Sequence, residues 1–243
     1  GSEGDNIETV HWYPQPDGTA IADIALRQRV LWGYRADWNG DDLVIAIKKP
    51  PSLAAPPESA LTGLVIVIDP GHSPDVGATG PLGTQERDVN LAISKQLATR
   101  LDALGARAVL TRTANVPVGL YDRPAFAAQQ SADILISVHN NALPDGTDPF
   151  THHGYAVYYF RRQSLGLATA IHQAYARSLN IPDEGLYQDE LALTRATEEP
   201  AVLTESAFIM WPPEESDLRD PVFRDQCAQA IADGVNAWVA STR

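Results

Sequence analysis

Short unbroken apolar runs recur along this chain, and the stretches between them carry apolar residues at helical spacing. Val65-Ile66-Val67-Ile68, Ile134-Leu135-Ile136 and Ala201-Val202-Leu203 are rich in β-branched side chains and lie among Pro, Gly and Asp. That is the signature of strands buried on both faces. Val89, Ile93, Leu97 and Leu101 then repeat at i, i+4 and mark one face of a helix stopped by Gly105. Residues 106–110, 134–138 and 154–160 read as further strands, and residues 120–130, 165–179 and 220–239 as helices. Strands and helices in alternation imply parallel βαβ units, hence an α/β domain with a mostly parallel sheet.

Residues 1–49 have another texture. Aromatic and β-branched residues precede Asn39-Gly40, a hairpin signal, and Leu43-Val44-Ile45-Ala46-Ile47 resumes a strand. This predicts a small β appendage whose three tryptophans, Trp12, Trp32 and Trp38, pack its core; a glycan-stacking face is the alternative. Residues 50–60, with Pro50, Pro51, Pro56 and Pro57, read as a linker that leaves the appendage separable from residues 61–243.

The candidate chemistry sits where apolar runs end. His72 follows the first run, His139 the third strand, Glu205 closes the run from Ala201, and Glu86 opens the first long helix. In open α/β sheets the ligand crevice lies beyond the carboxyl ends of the strands. Two imidazoles and the Glu86 carboxylate gathered there supply three ligands for one Zn2+ with a fourth position open, and Glu205 becomes the free carboxylate for proton transfer. Intervals of 14, 53 and 66 residues mean that only the fold brings these groups together. A strand-terminal histidine is more often packed than ligating, so the pattern alone leaves both readings open. A carboxylate closing an apolar run, as Glu205 does, is the rarer event.

Composition narrows the rest. A chain of 243 residues, 44% hydrophobic, holds one substantial core and a small appendage. Its net charge of −13 and lack of a basic stripe argue against a nucleic-acid partner. No apolar run approaches the ~20 residues of a membrane span. Cys227 is the single cysteine and reads as a buried small hydrophobe. Gly1-Ser2 reads as an expression scar, so the lack of a signal peptide carries no weight. His152-His153 are expected on the surface or in a loop, His11 and His172 packed or exposed, and Glu198-Glu199 and Glu214-Glu215 as solvated loop charges. Trp211 is expected at a groove, in the core or at a rim.

Five segments in order resemble the zinc-dependent N-acetylmuramoyl-L-alanine amidases: Ile68-Asp69-Pro70-Gly71-His72, Gln85-Glu86-Arg87-Asp88-Val89-Asn90-Leu91, Leu110-Thr111-Arg112, Ser137-Val138-His139-Asn140-Asn141-Ala142 and the stretch from Pro200 through Glu205 to Phe208. The resemblance covers residues 61–239. It implies a single twisted sheet flanked by helices on both faces, one Zn2+ held by His72, Glu86 and His139, and Glu205 as the catalytic carboxylate. It also implies a peptidoglycan or muropeptide substrate and action outside the cytoplasmic membrane, and the chain is expected to be monomeric. Arg195 matches an arginine that the family often places near the site, suited to a stem-peptide carboxylate or to a structural ion pair. Departures are the phrase Ser73-Pro74-Asp75-Val76-Gly77-Ala78 and Ile209-Met210-Trp211-Pro212-Pro213 after the catalytic glutamate. Some members carry a helical lid between the second histidine and that glutamate; here one strand, one helix and their loops fill the interval, so no lid is expected, and residues 144–153 or 209–216 are the candidates for any gate.

Two rivals stand beside the amidase reading. One is a metallopeptidase that cuts within stem peptides. The other is a catalytically silent wall-binding module, whose expected mark is a missing ligand or catalytic carboxylate; all four residues are present.

Overall fold

The computed structural model describes residues 6–143 and 146–243, so the first five residues of the appendage and two of the residues 144–153 considered for a gate lie outside it. At its centre is a six-stranded sheet. In spatial order it runs β6 (Arg107–Leu110), β5 (Val65–Pro70), β7 (Ile134–Asn141), β10 (Ala201–Phe208), β8 (Tyr155–Tyr159) and β9 (Asp183–Gln188). Every ladder is parallel except β10 with β8. The expected mostly parallel sheet is therefore present, with β8 and β9 at one edge running opposite to the other four strands.

Alternation along the strands sorts the core into two layers. Ile66, Ile68, Ile134, Ile136 and Val202 face α1 (Glu86–Ala103), α3 (Leu165–Ser178) and α5 (Pro221–Ser241). Val67, Leu135 and Ala201 turn the other way, toward Ala127 of α2 (Asp122–Gln129) and Leu193. The periodic residues Val89, Ile93, Leu97 and Leu101 are all buried on the inner face of α1. Asp220 caps α5 by accepting from the Val222 amide at 2.8 Å, and Pro221 occupies its first turn. Cys227 is buried in the same layer.

The appendage forms two separate hairpins, β1 (Ile7–Pro14) with β2 (Ala20–Leu26) and β3 (Tyr34–Asn39) with β4 (Asp42–Ile47). Asn39 pairs with Asp42, so the turn is Gly40-Asp41, one residue later than the dipeptide suggested, with Gly40 at φ 63°. The tryptophans depart from expectation. Trp12 and Trp38 are 62% and 72% exposed, whereas Trp32 is buried against Trp238 of α5, ring centroids 5.0 Å apart. A two-stranded sheet has no second layer to cover its faces, so its large side chain is buried only where the main core offers a wall. The Tyr34 amide donates to the Thr197 carbonyl at 2.7 Å, and a Cβ on Gly33 would collide with the Glu198 carbonyl. Lys48 adds an ion pair to Asp133 at 3.3 Å.

Among the strands and α-helices of residues 61–243, two escaped the sequence pattern, β9 and α4 (Pro212–Arg219). With α4 comes a correction: Glu214 and Glu215 are buried, not solvated. Glu215 accepts from the amides of Leu82 at 2.8 Å and Thr84 at 3.1 Å. Glu214 accepts from the amides of Gly154 and Phe208 and pairs with His153 at 2.6 Å. Both carboxylates latch loops at the sheet edge by satisfying backbone donors. Glu199 is likewise buried.

Candidate metal centre

The carboxyl edge of β5, β7 and β10 carries the site. His72 lies two residues beyond β5, His139 is on β7, and Glu205 stands opposite it in the parallel β10 ladder. Glu86 is the first residue of α1, where the helix's positive end favours its charge. One ligand-type atom each from His72, Glu86 and His139 lies within 4.8 Å of the others. Glu86 bridges the imidazoles, Oε2 to His72 Nε2 at 2.9 Å and Oε1 to His139 Nδ1 at 3.0 Å.

The carboxylate is fixed from behind. The Ala78 amide donates to Oε2 at 2.9 Å, and Asn90 Nδ2 to Oε1 at 3.1 Å, with Asn140 bonded in turn to Asn90 at 2.8 Å. Asp75 holds His72 Nδ1 at 2.6 Å, which leaves Nε2 as the face toward the cluster. This is how a carboxylate beyond the ligand sets a metal-binding tautomer. Two glycines make room: a Cβ on Gly71 would enter the His139 ring, and one on Gly77 would strike Glu86 and His72.

The loop after β5 is strained and braced. His72 at φ 65° and Ser73 at φ 83° occupy the left-handed region, at a cost of roughly 1–3 kcal/mol each. Arg123 donates to the carbonyls of Pro70 at 2.9 Å, His72 at 2.7 Å and Ser73 at 3.2 Å, and pairs with the buried Asp69 at 2.7 Å. Arg112 donates to the carbonyls of Pro70, Gly71 and Arg87. Thr111 and Ser137 complete the shell of Asp69 at 2.6 and 2.9 Å.

Electrostatics divide the two glutamates. Burial would raise the Glu86 carboxyl, but hydrogen bonds and charge from His139 and His72 hold it far below the usual range. Burial would lower His72, and Glu86 with Asp75 behind it outweighs this and raises it. Glu205 is pushed well above the carboxylate range, first by burial and then by the negative Glu86. Its Oε2 is sealed from solvent with no hydrogen-bond partner. An orphaned carboxylate oxygen beside a His, Glu, His donor set fits a divalent cation, because the cation would offset the Glu86 charge that adds to burial in raising Glu205.

The cavity over this cluster, about 380 Å³, is walled by Asp69, His72, Pro74, Leu120, Arg123 and Leu193 among others. From the interval between His139 and Glu205, Leu193 is the one described residue in the wall beyond His139 itself. Helix α3 of that interval packs against β8, β9 and α5. Arg195 lines the adjoining cavity, 3.8 Å from Glu190 and 5.5 Å from the Tyr121 ring centre. His152 and His153 pair with different carboxylates, Glu184 and Glu214; His172 pairs with Asp183, and His11 is exposed. Trp211 is half-buried and packs edge-on against Phe150 at 4.5 Å.

Asp75, Asn90, Asn140 and Arg123 were not singled out by the sequence. Asn90 and Asn140 lie within the motif segments, and Asn90 one turn after Glu86 was a readable signal. Arg123 had none, since its partners are carbonyls some 50 residues away.

Residues 66–237 match the family profile described as N-acetylmuramoyl-L-alanine amidase. The chain is 36% identical over 186 residues to "N-acetylmuramoyl-L-alanine amidase LytC" of Bacillus subtilis, a match covering 74% of this chain and 36% of LytC. It is 32% identical over 212 residues to "Probable cell wall amidase LytH" of Staphylococcus epidermidis, covering 86% of this chain and 68% of that protein. Thus the matched part spans about a third of LytC. Among solved structures, the amidase AmiC2 of Nostoc punctiforme superposes with a TM-score of 0.69 at 31% identity, over 74% of this chain and 99% of its own. An amidase from Clostridium difficile 630 gives 0.70 at 30%, over 74% and 98%.

Proposed function

Because the chain belongs to the N-acetylmuramoyl-L-alanine amidase family, we propose that it hydrolyses the amide between the lactyl group of N-acetylmuramic acid and L-alanine in peptidoglycan. The supporting observation is the His72, Glu86, His139 cluster with the orphaned Glu205 carboxylate beside it. His72, Glu86 and His139 would hold one Zn2+, and the ion supplies Lewis-acid charge at this edge of the sheet. Glu205 takes a proton from the attacking water, whose oxygen joins the lactyl carbonyl carbon. As the C–N bond breaks, Glu205 returns that proton to the departing L-alanine amine. Burial, and after it the negative Glu86, raises its pKa, which makes the carboxylate a stronger proton acceptor.

Asp75 and Asn90 keep the ligands oriented, and Arg112 and Arg123 hold the strained loop that carries His72. Residues 61–243 form the catalytic unit in this reading, and Arg195, one cavity away, receives a carboxylate of the stem peptide. The substrate places the enzyme outside the cytoplasmic membrane. Among the described residues no helix is long and apolar enough to cross a membrane.

Metal analysis tests the reading. The purified protein is expected to bind about one zinc per chain and His139→Ala far less, with Zn–N distances of ~2.0–2.1 Å. Equal zinc in both proteins would overturn the ligand assignment.

A further inference from the structure

Beyond the metal cavity the described residues form a groove, and a buried carboxylate without a partner lines it. The metal cavity includes Leu120 and Leu193, and their neighbours Tyr121 and Ala192 line the next cavity along α2. That cavity shares Ala128, Glu198 and Glu199 with a third, whose far wall is the β3–β4 hairpin through Tyr34, Arg35 and Lys48. The three succeed one another along α2, from the metal to the appendage.

Glu199 stands where the second and third cavities meet. It is 1% exposed as a residue, and its carboxylate makes no hydrogen bond or ion pair with any described residue. The cation that acts on it, Lys48, is already engaged: it pairs with Asp133 at 3.3 Å and donates to the Ala132 carbonyl. Burial lifts the Glu199 carboxyl to about 7, Lys48 opposes the rise, and Glu198 adds to it. A buried carboxylate opening on a cavity is costly unless a cation meets it.

We propose that Glu199 receives the side-chain ammonium of a diamino residue in the stem peptide, which lies along the α2 groove with its cleaved end at the metal. This rests on the amidase reading and deepens it to a substrate class: stems bearing a free primary amine. The lengths agree. Glu199 precedes Glu205 by six residues, about 20 Å at the rise of a strand. A stem extended at ~3.5 Å per residue, with a long diamino side chain added, covers that order of distance by its middle residues. The mixed lining, Arg195 and Arg35 with Glu198 and Glu199, also suits a peptide carrying both carboxylates and an amine. The hairpin acquires a role as the far wall of this groove, held there by the Tyr34 to Thr197 hydrogen bond and the close fit of Gly33 on Glu198.

The test uses the full chain, zinc-loaded, on two soluble muropeptides that differ only in whether the diamino side chain is free or N-acetylated. Wild type is expected to favour the free amine about tenfold in kcat/KM, through KM, as a charge-assisted contact would give. In Glu199→Gln the ratio is expected to fall to near one, while Glu199→Asp keeps part of it. Equal kcat/KM for both muropeptides in wild type, or a preference undiminished in Glu199→Gln, overturns the proposal while leaving the amidase reading intact. Failure of wild type to cleave either muropeptide overturns both. The substrate-side comparison needs no variant, so a folding defect in Glu199→Gln does not shield the proposal.

Discussion

At the scale of single residues, the site is a set of unequal environments imposed on chemically similar groups. Glu86 and Glu205 are both carboxylates at one sheet edge, yet the imidazoles lower the pKa of the first while burial raises that of the second. Glu205→Gln keeps the shape and loses the proton acceptor, so stem-peptide release is expected to fall by on the order of 10²–10⁴ with zinc still bound. Turnover assays paired with metal analysis check this, and near-normal turnover would remove Glu205 from its role. Arg123→Ala leaves Asp69 charged and buried and unbraces the His72 loop. It is expected to cost about 3–5 kcal/mol of stability, read as a lower denaturant midpoint. Three of the four candidate residues, His72, His139 and Glu205, were legible because each follows or closes an apolar run, and Glu86 because it opens the first long helix. Glu199, Glu214 and Glu215 were not, because a buried carboxylate is set by the backbone amides or cavities around it, which a local pattern does not contain.

At the scale of elements, what the sequence disclosed tracks how much apolar surface each one buries. β5, β7, β10 and α1 carry long apolar patterns and sit in the core, where they were expected. β9 begins Asp183-Glu184-Gly185 and lies at the sheet edge, and α4 opens with two prolines and two glutamates, so neither has a hydrophobic signal to read. The appendage shows the same limit in reverse: its tryptophans announced a β element but not their partners. Trp32→Ala removes a ring packed on Trp238 and is expected to destabilise the chain by about 3–5 kcal/mol, whereas Trp38→Ala at an exposed position should fall within about 0.5 kcal/mol. Thermal or denaturant unfolding of the two variants checks the contrast, and equal effects would contradict the packing. By the same reasoning a chain of residues 61–243 is expected to cleave muropeptides unaided yet unfold more readily than the full chain, since Trp238 is then uncovered.

At the scale of the molecule, one parallel-sheet edge collects the His72, Glu86, His139 cluster and the Glu205 carboxylate, and cavities succeed one another from there along α2 toward the β3–β4 hairpin. The order of elements along the chain was readable because parallel strands need crossover helices. The groove was not, because its walls come from α2, the loop before β10 and the β3–β4 hairpin, which are far apart in sequence. The central claim is which bond is cut. Mass spectrometry of purified peptidoglycan digested by the zinc-loaded chain tests it most directly. The account predicts intact stem peptides with a free L-alanine amino terminus, and glycan strands ending in free lactyl carboxylates. Fragments cut inside the stem, with L-alanine still joined to the lactyl group, would contradict it.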